Sequence, residues 1–204
     1  MSAIALLLSL TVHEAAHAWT ANRLGDPTAR LLGRISLNPL VHIDLVGTVL
    51  LPLVAMATGA PLIGWAKPVP VDTRRLGRMP RDFVAIAAAG PVSNIVLAFL
   101  ASLVLRFAGA VPSAAAGLSI GEPVQALAWS VFQINLLLAV FNLIPVPPLD
   151  GGNMLGGLLR GRLAAGFNAL RPYGVFILYA LMFSGAMSAL IGPPFLFLAR
   201  LLTL

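Results

Sequence analysis

Residues 6–25 read LLLSLTVHEAAHAWTANRLG, an apolar run that carries His13, Glu14 and His17 in its middle. Followed outward, the run begins near Ser2 and stops at RLGDP, where Gly25 and Pro27 end a helix. The resulting helix, residues 2–23, is long enough to cross a bilayer, which takes about 20 apolar residues. Ionisable groups at such a depth are costly and usually functional. The rest of the chain has the same character. Of 204 residues, 59% are hydrophobic and only 10% charged, and the mean hydropathy is +0.94. A soluble domain of this size carries about 25% charged residues. The composition therefore describes an all-α polytopic membrane protein, one domain over residues 1–204.

The absence of cysteine excludes disulfides and a thiolate metal site. The net charge of +6 comes from 13 basic residues that fall mostly between the apolar runs. That placement fits topology signals and argues against a nucleic-acid partner. A signal-peptide reading of the first segment, with cleavage near Ala16 and Ala18, fails for want of a basic leading region and because Glu14 precedes the cut.

Further runs follow. Asp44 reads as the N-cap of residues 45–63, a run interrupted by Pro52 and Pro61. A basic segment, GWAKPVPVDTRRLGRMPRD, has alternating prolines that favour extended backbone, so a short extended or β segment is expected near 66–72. Residues 82–107 form a third run, with Asp82 as cap and Pro91 as an internal kink. Residues 124–144 form a fourth, which stops at PVPPLDGG and resumes as NMLGGLLRGR. A fifth, residues 173–191, precedes an amphipathic tail. In all, five to six transmembrane or re-entrant helices are expected. The arginine-rich loops 74–81 and 160–171 belong in the cytoplasm, and the loop 109–122, without a basic residue, outside. Residues 45–63 then begin and end on the cytoplasmic side, so either the run is re-entrant, as its prolines permit, or the charge rule fails for one loop.

Residues four apart lie on one helix face, about 6 Å apart along the axis. His13 and His17 can thus aim ring nitrogens at one cation, with Glu14 beside them. The pattern H-E-x-x-H supplies two zinc-binding imidazoles and a carboxylate suited to general-base work. With three histidines and two glutamates in the chain, chance would give it about four times in ten thousand.

Catalytic zinc needs a third protein ligand and an open fourth position. Asp26 lies in a Gly-Asp-Pro turn, Asp44 and Asp82 begin apolar runs, Asp72 stands among arginines, and Glu122 is in the outer loop. His42, in the loop NPLVHID, could ligate, although a solvated or capping role suits a loop histidine. Asp150 follows FNLIPVPPL and precedes Gly151 and Gly152, at the break of a membrane-spanning run. Its prolines forbid continuous helix, and the glycines let the backbone turn. The third ligand expected is Asp150, with a helix cap as its ordinary alternative.

With HEAAH on the first helix and NLIPVPPLDGG on a later one, the chain resembles the site-2 proteases, intramembrane zinc metalloproteases that cut transmembrane segments. The second motif is complete through Asn142, Pro145, Leu149, Asp150 and Gly151, and AAAGPVSN supplies Gly90, Pro91 and Asn94. The resemblance covers residues 1 to about 160. It implies one zinc ion held by His13, His17 and Asp150, with Glu14 as catalytic base. The expected activity is zinc-dependent endopeptidase cleavage of transmembrane protein or peptide substrates, that is, regulated intramembrane proteolysis in a prokaryotic cell membrane. The chain looks like a minimal core without PDZ or CBS modules, and residues 45–63 are an insertion relative to the simplest members. Asn94 is a candidate oxyanion or substrate contact, or else a packing asparagine. Asn142 and Gly151 are candidates for supporting the ligand loop. A helical substrate must unwind before it can be cut, and WAKPVPVD could offer it an edge strand. Two rivals remain at this stage. A secondary transporter would show broken helices in repeated halves, and a non-proteolytic metal-binding membrane protein would have no use for Glu14.

Overall fold

The structure, a computed structural model, describes residues 2–59, 65–108 and 121–203. Helix α1 occupies Ser2–Arg23, the span read from sequence. Its buried residues include Ala5, Ser9, His13, His17 and Ala21. They form a four-residue ridge of the kind that packs into the groove of a neighbouring helix. The neighbours are α4 (Arg81–Ala108) and α5 (Gly121–Asn142), and the three helices pack mutually. Lipid tails are as apolar as leucine, so membrane helices associate through close packing and interhelical hydrogen bonds. The contact faces fit that requirement. Ala87, Gly90, Ala98 and Ala101 are buried on α4, and Ala128 and Ala139 on α5. Larger apolar side chains such as Leu8, Val96, Phe99, Leu100 and Leu137 point outward, where lipid would meet them.

Three described helices are long and apolar enough to cross a membrane by length and composition: Arg81–Phe107, Gly121–Asn142 and Ala186–Thr203. The expected count of five to six is not reached on that measure. Helix α1 has the length, but its histidines and glutamate dilute its hydropathy. α4 runs through Pro91 without interruption. Asp82 lies in its first turn and accepts from the Arg78 amide at 2.7 Å, so it braces the preceding turn and is not the N-cap.

The fifth run also differs from expectation. After α6 (Asp150–Leu158) and α7 (Gly161–Ala169), α8 takes Gly174–Phe183 and α9 takes Ala186–Thr203. The split falls at Gly185, whose φ of 76° reverses the chain where other residues would be strained. The amphipathic tail is the second half of α9, which packs on α5 and α4 through Phe195, Leu198 and Leu202.

Between α1 and α4 lies a layered connection. The short helix α2 (Thr28–Leu31) leads to a 3-10 turn at Pro39–His42. Asp44 caps the next element as expected, accepting from the amides of Val46 and Gly47. That element is a π-helical turn, Leu45–Leu50, continued by α3 (Leu51–Thr58) and closed by Gly59 in the left-handed conformation. Pro61 and the end of the 45–63 run lie outside the described residues, as does the loop 109–120.

Residues 65–72 form no strand, and no strand occurs among the described residues. Pro68 and Pro70 remove two of the amide donors that a ladder would need. This stretch is instead tied down as a strap. The Trp65 amide donates to the Gly47 carbonyl at 3.2 Å, and the Lys67 amide to the His42 carbonyl at 2.8 Å. The buried Arg34 guanidinium donates to the carbonyls of Val41 and Lys67. The far end is held by Asp26, which is fully buried and accepts from the Asp72 amide at 2.7 Å and from Thr28. Asp26→Ala leaves these half-buried donors without their carboxylate and removes the link between the end of α1 and the strap. A loss of about 1–3 kcal/mol is expected, read as a lower thermal midpoint in detergent; an unchanged midpoint would show that Asp26 does not brace the strap.

Candidate metal centre

The ridge of α1 carries His13 and His17 into the contact with α4. Both rings are buried, at 5% and 8% exposure. Asp150 comes from a distant part of the chain. The chain leaves α5 at Asn142, runs irregularly through residues 143–149, and restarts as a helix at Asp150. Glycines make that turn possible by close approach. A Cβ on Gly151 would collide with the carbonyls of Leu143 and Ile144, and one on Gly152 with the backbone of Val146 and Pro147. Leu149 occupies the cap position of α6 and makes no side-chain cap bond. The Asp150 carboxylate is turned toward α1 and away from a capping role.

Three donor atoms then meet. Asp150 Oδ2 lies 3.1 Å from His13 Nε2 and 3.3 Å from His17 Nε2. The two Nε2 atoms are 3.1 Å apart. Tetrahedral zinc with bonds of about 2.0–2.1 Å requires ligand atoms about 3.3 Å from one another. The triangle is therefore close to one face of that tetrahedron, and these three residues are the metal-capable cluster among the described residues.

The protonation pattern makes the same demand. His17 Nδ1 is 2.7 Å from the Ile86 carbonyl, which can only accept, so Nδ1 carries the proton and Nε2 a lone pair. His13 Nδ1 lies 2.6 Å from Asn94 Oδ1. Asp150 Oδ2 is buried and finds no hydrogen-bond donor among the described residues, although both Nε2 atoms are close. A neutral ring protonated at Nδ1, as His17 is, can offer it only a lone pair. Three buried lone-pair atoms in contact repel one another unless a cation sits between them. The residues fit a divalent ion.

Glu14 is half-buried and lines the same cavity, of about 650 Å³, as His13, His17 and Asp150. Its other walls are mostly apolar, with Leu10, Phe83, Ile86, Leu138 and Phe141 from the helices and Trp65, Pro68, Val69 and Val71 from the strap. Asn142 also lines it, and its amide donates to the Leu138 carbonyl at 2.9 Å.

The carboxylates set aside in sequence have other work. Asp44 caps its helix, Asp82 accepts from Arg78, and Asp26 binds backbone amides. Asp72 bonds Arg74 and Arg75, and the Arg74 hydrogen bond holds its carboxyl down at about 2. His42 is buried, not solvated, with Nε2 donating to the Ser36 carbonyl at 2.9 Å, and it lies outside the metal-capable cluster. Asn94 is fully buried behind His13. Its oxygen faces the ring, and its amide donates to Asn135 Oδ1 at 2.7 Å and, more distantly, to the Ser9 carbonyl at 3.5 Å. Both ends are committed, and this placement suits a ligand's partner.

Ser9 and Asn135 were missed in the sequence reading. A polar side chain deep in an apolar helix is itself a signal, and Ser9 stands one turn before His13. Gly90 stood in the sequence only as part of AAAGPVSN, with nothing along the chain to show what packs against it. A Cβ there would collide with both His13 and His17 rings, so the glycine makes the space in which the imidazoles converge.

Comparison with known proteins adds a second line. A family model described as Peptidase family M50 matches residues 1–118 and 108–184. YwhC of Bacillus subtilis, whose name describes a candidate zinc metalloprotease, is 40% identical over 183 residues, 88% of this chain and 78% of its own. Rip2 of Mycolicibacterium smegmatis, named in the same way, is 29% identical over 189 residues, 89% of this chain and 66% of its own. Rip3 of Mycobacterium tuberculosis, also so named, is 32% identical over 173 residues, 83% of this chain but 34% of its own. No solved structure matches.

Gly90→Ala should push both imidazole rings aside while leaving the helices intact. Zinc affinity is expected to fall about tenfold or more with unchanged helicity, measured by metal titration and circular dichroism; wild-type affinity would show that the rings do not depend on this gap.

Proposed function

Because the chain belongs to Peptidase family M50, the site-2 protease family, we propose that it is an intramembrane endopeptidase, with one zinc ion per chain, that hydrolyses peptide bonds within or near transmembrane segments of membrane-protein substrates. Regulated intramembrane proteolysis in the cell membrane of a prokaryote is the setting that suits such an activity. The observation that carries this reading is the triangle of His13, His17 and Asp150, with Glu14 on the wall of the same cavity.

His13, His17 and Asp150 hold the ion. When bound there, a zinc ion would supply Lewis acidity for a carbonyl and lower the pKa of water toward neutrality. Glu14 adjoins His13 and is the base that takes the proton from the attacking water, then returns it to the leaving amine. Asn94 holds the His13 ring, and the close packing of Gly151 on Leu143 and Ile144 holds the ligand loop. Asn142 supports the last turn of α5 where that loop departs.

The apolar cavity walls suit the side chains of a membrane-spanning segment. A helix hides its peptide bonds in its own hydrogen bonds, so the segment must unwind, and its freed amides and carbonyls then need partners. The strap borders the cavity, and with Pro68 and Pro70 lacking N–H groups the donors of its proline stretch are Val69 and Val71. They are the groups that would pair with an unwound substrate. The arginine-rich loops belong on the cytoplasmic side. Residues 45–58 give at most about 21 Å of helix, short of a core about 30 Å thick, which supports a re-entrant element.

Purified protein should carry one zinc per chain and cut a transmembrane reporter peptide, and chelation should abolish the cut. Glu14→Gln is expected to keep the metal and lose about 10²–10⁴-fold in rate, whereas His17→Ala and Asp150→Ala lose the metal. Cleavage at the wild-type rate by Glu14→Gln would sink the assignment of the base. Val69→Pro should lower kcat/KM about threefold to tenfold, the worth of one hydrogen bond, at full zinc content. An unchanged value would remove the strap from substrate binding.

A further inference from the structure

The tautomer of His13 poses a separate question. For its Nε2 to face a cation, the ring proton must sit on Nδ1, and the group facing Nδ1 must accept. That group is an amide side chain, which can present either oxygen or nitrogen. Asn94 does not decide the matter alone.

A chain of hydrogen bonds behind Asn94 decides it. Ser9 Oγ donates to the Ala5 carbonyl at 2.6 Å, so its hydroxyl proton is spent and its oxygen can only accept. Asn135 Nδ2 donates to that oxygen at 2.8 Å and to the Val131 carbonyl, also at 2.8 Å. With its amide nitrogen held by two acceptors, Asn135 turns Oδ1 toward α4 and receives Asn94 Nδ2 at 2.7 Å. Asn94 Oδ1 is then left facing His13 Nδ1. Reversing either amide would set oxygen against oxygen in a buried interior, since Asn94 and Asn135 are both fully buried and Ser9 is 1% exposed.

We propose that Asn135 of α5, which touches neither the donor triangle nor the cavity wall, is a positioning residue that sets the metal-binding tautomer of His13 by orienting the Asn94 amide. Backbone carbonyls of two helices, at Ala5 and Val131, act as fixed references, and the polarity passes from them through Ser9, Asn135 and Asn94 to the ring. The inference rests on the metal-centre reading above, yet it concerns the metal-free protein as well.

Asn135→Leu frees the Asn94 amide to turn its nitrogen toward His13, which shifts the ring proton to Nε2 in part of the population. Zinc affinity should fall about tenfold. Adding Asn94→Asp should restore it, because both carboxylate oxygens accept and none needs orienting. A packing defect would not be repaired by a second change that places a carboxylate in the same interior. Wild-type affinity in Asn135→Leu, or no recovery in the double variant, would overturn the proposal. Should Asn135→Leu not fold, nitrogen NMR of metal-free wild type labelled at histidine, with His13→Gln as the assignment control, still decides. An Nδ1-protonated His13 supports the relay and an Nε2-protonated ring refutes it. If wild type bound no zinc at all, the metal-centre reading would fail while this spectrum still judged the relay.

Discussion

The structure depends on three buried lone pairs held in contact. Two imidazole nitrogens and one carboxylate oxygen lie within 3.3 Å of each other, away from water. Such a group is costly in a medium of low polarity, and a divalent cation between the three atoms relieves it. The elements around it act to keep these atoms together. α1 presents the imidazoles, the glycine-rich turn after α5 presents the carboxylate, and Gly90 of α4 leaves the gap in which they meet.

The same economy of space holds the helices. In lipid, apolar surface gains little by turning inward, so α1, α4 and α5 associate where alanine, glycine and serine let their backbones approach. Polar side chains are then added at the seam. Ser9, Asn94 and Asn135 come from three different helices and satisfy one another, so they join the bundle and orient a ligand together. Polar groups this deep are tolerated because each has a partner.

The strap is held in a different way. The strap lies beside the cavity and is fastened by Asp26, Arg34, His42 and Gly47 through its backbone. These bonds use its backbone, and Trp65, Ala66, Pro68, Val69 and Val71 line the cavity.

The sequence by itself determined the extent of α1, the pairing of His13 with His17 on one face, the Asp44 cap and the break that carries Asp150. Each follows from a local rule: helical periodicity, side-chain capping, or the inability of proline to continue a helix. Asp150 could be reached by elimination because a chain with seven acidic residues leaves few carboxylates to consider. Only the tertiary structure decided that Asn94 stands behind His13, that Asn135 and Ser9 orient it, that Gly90 underlies both rings, and that residues 65–72 form a strap and not a strand. The reason is that an amide has two chemically opposite ends and a glycine has no side chain. What either contributes depends on what another helix brings against it, and no spacing along the chain encodes that approach.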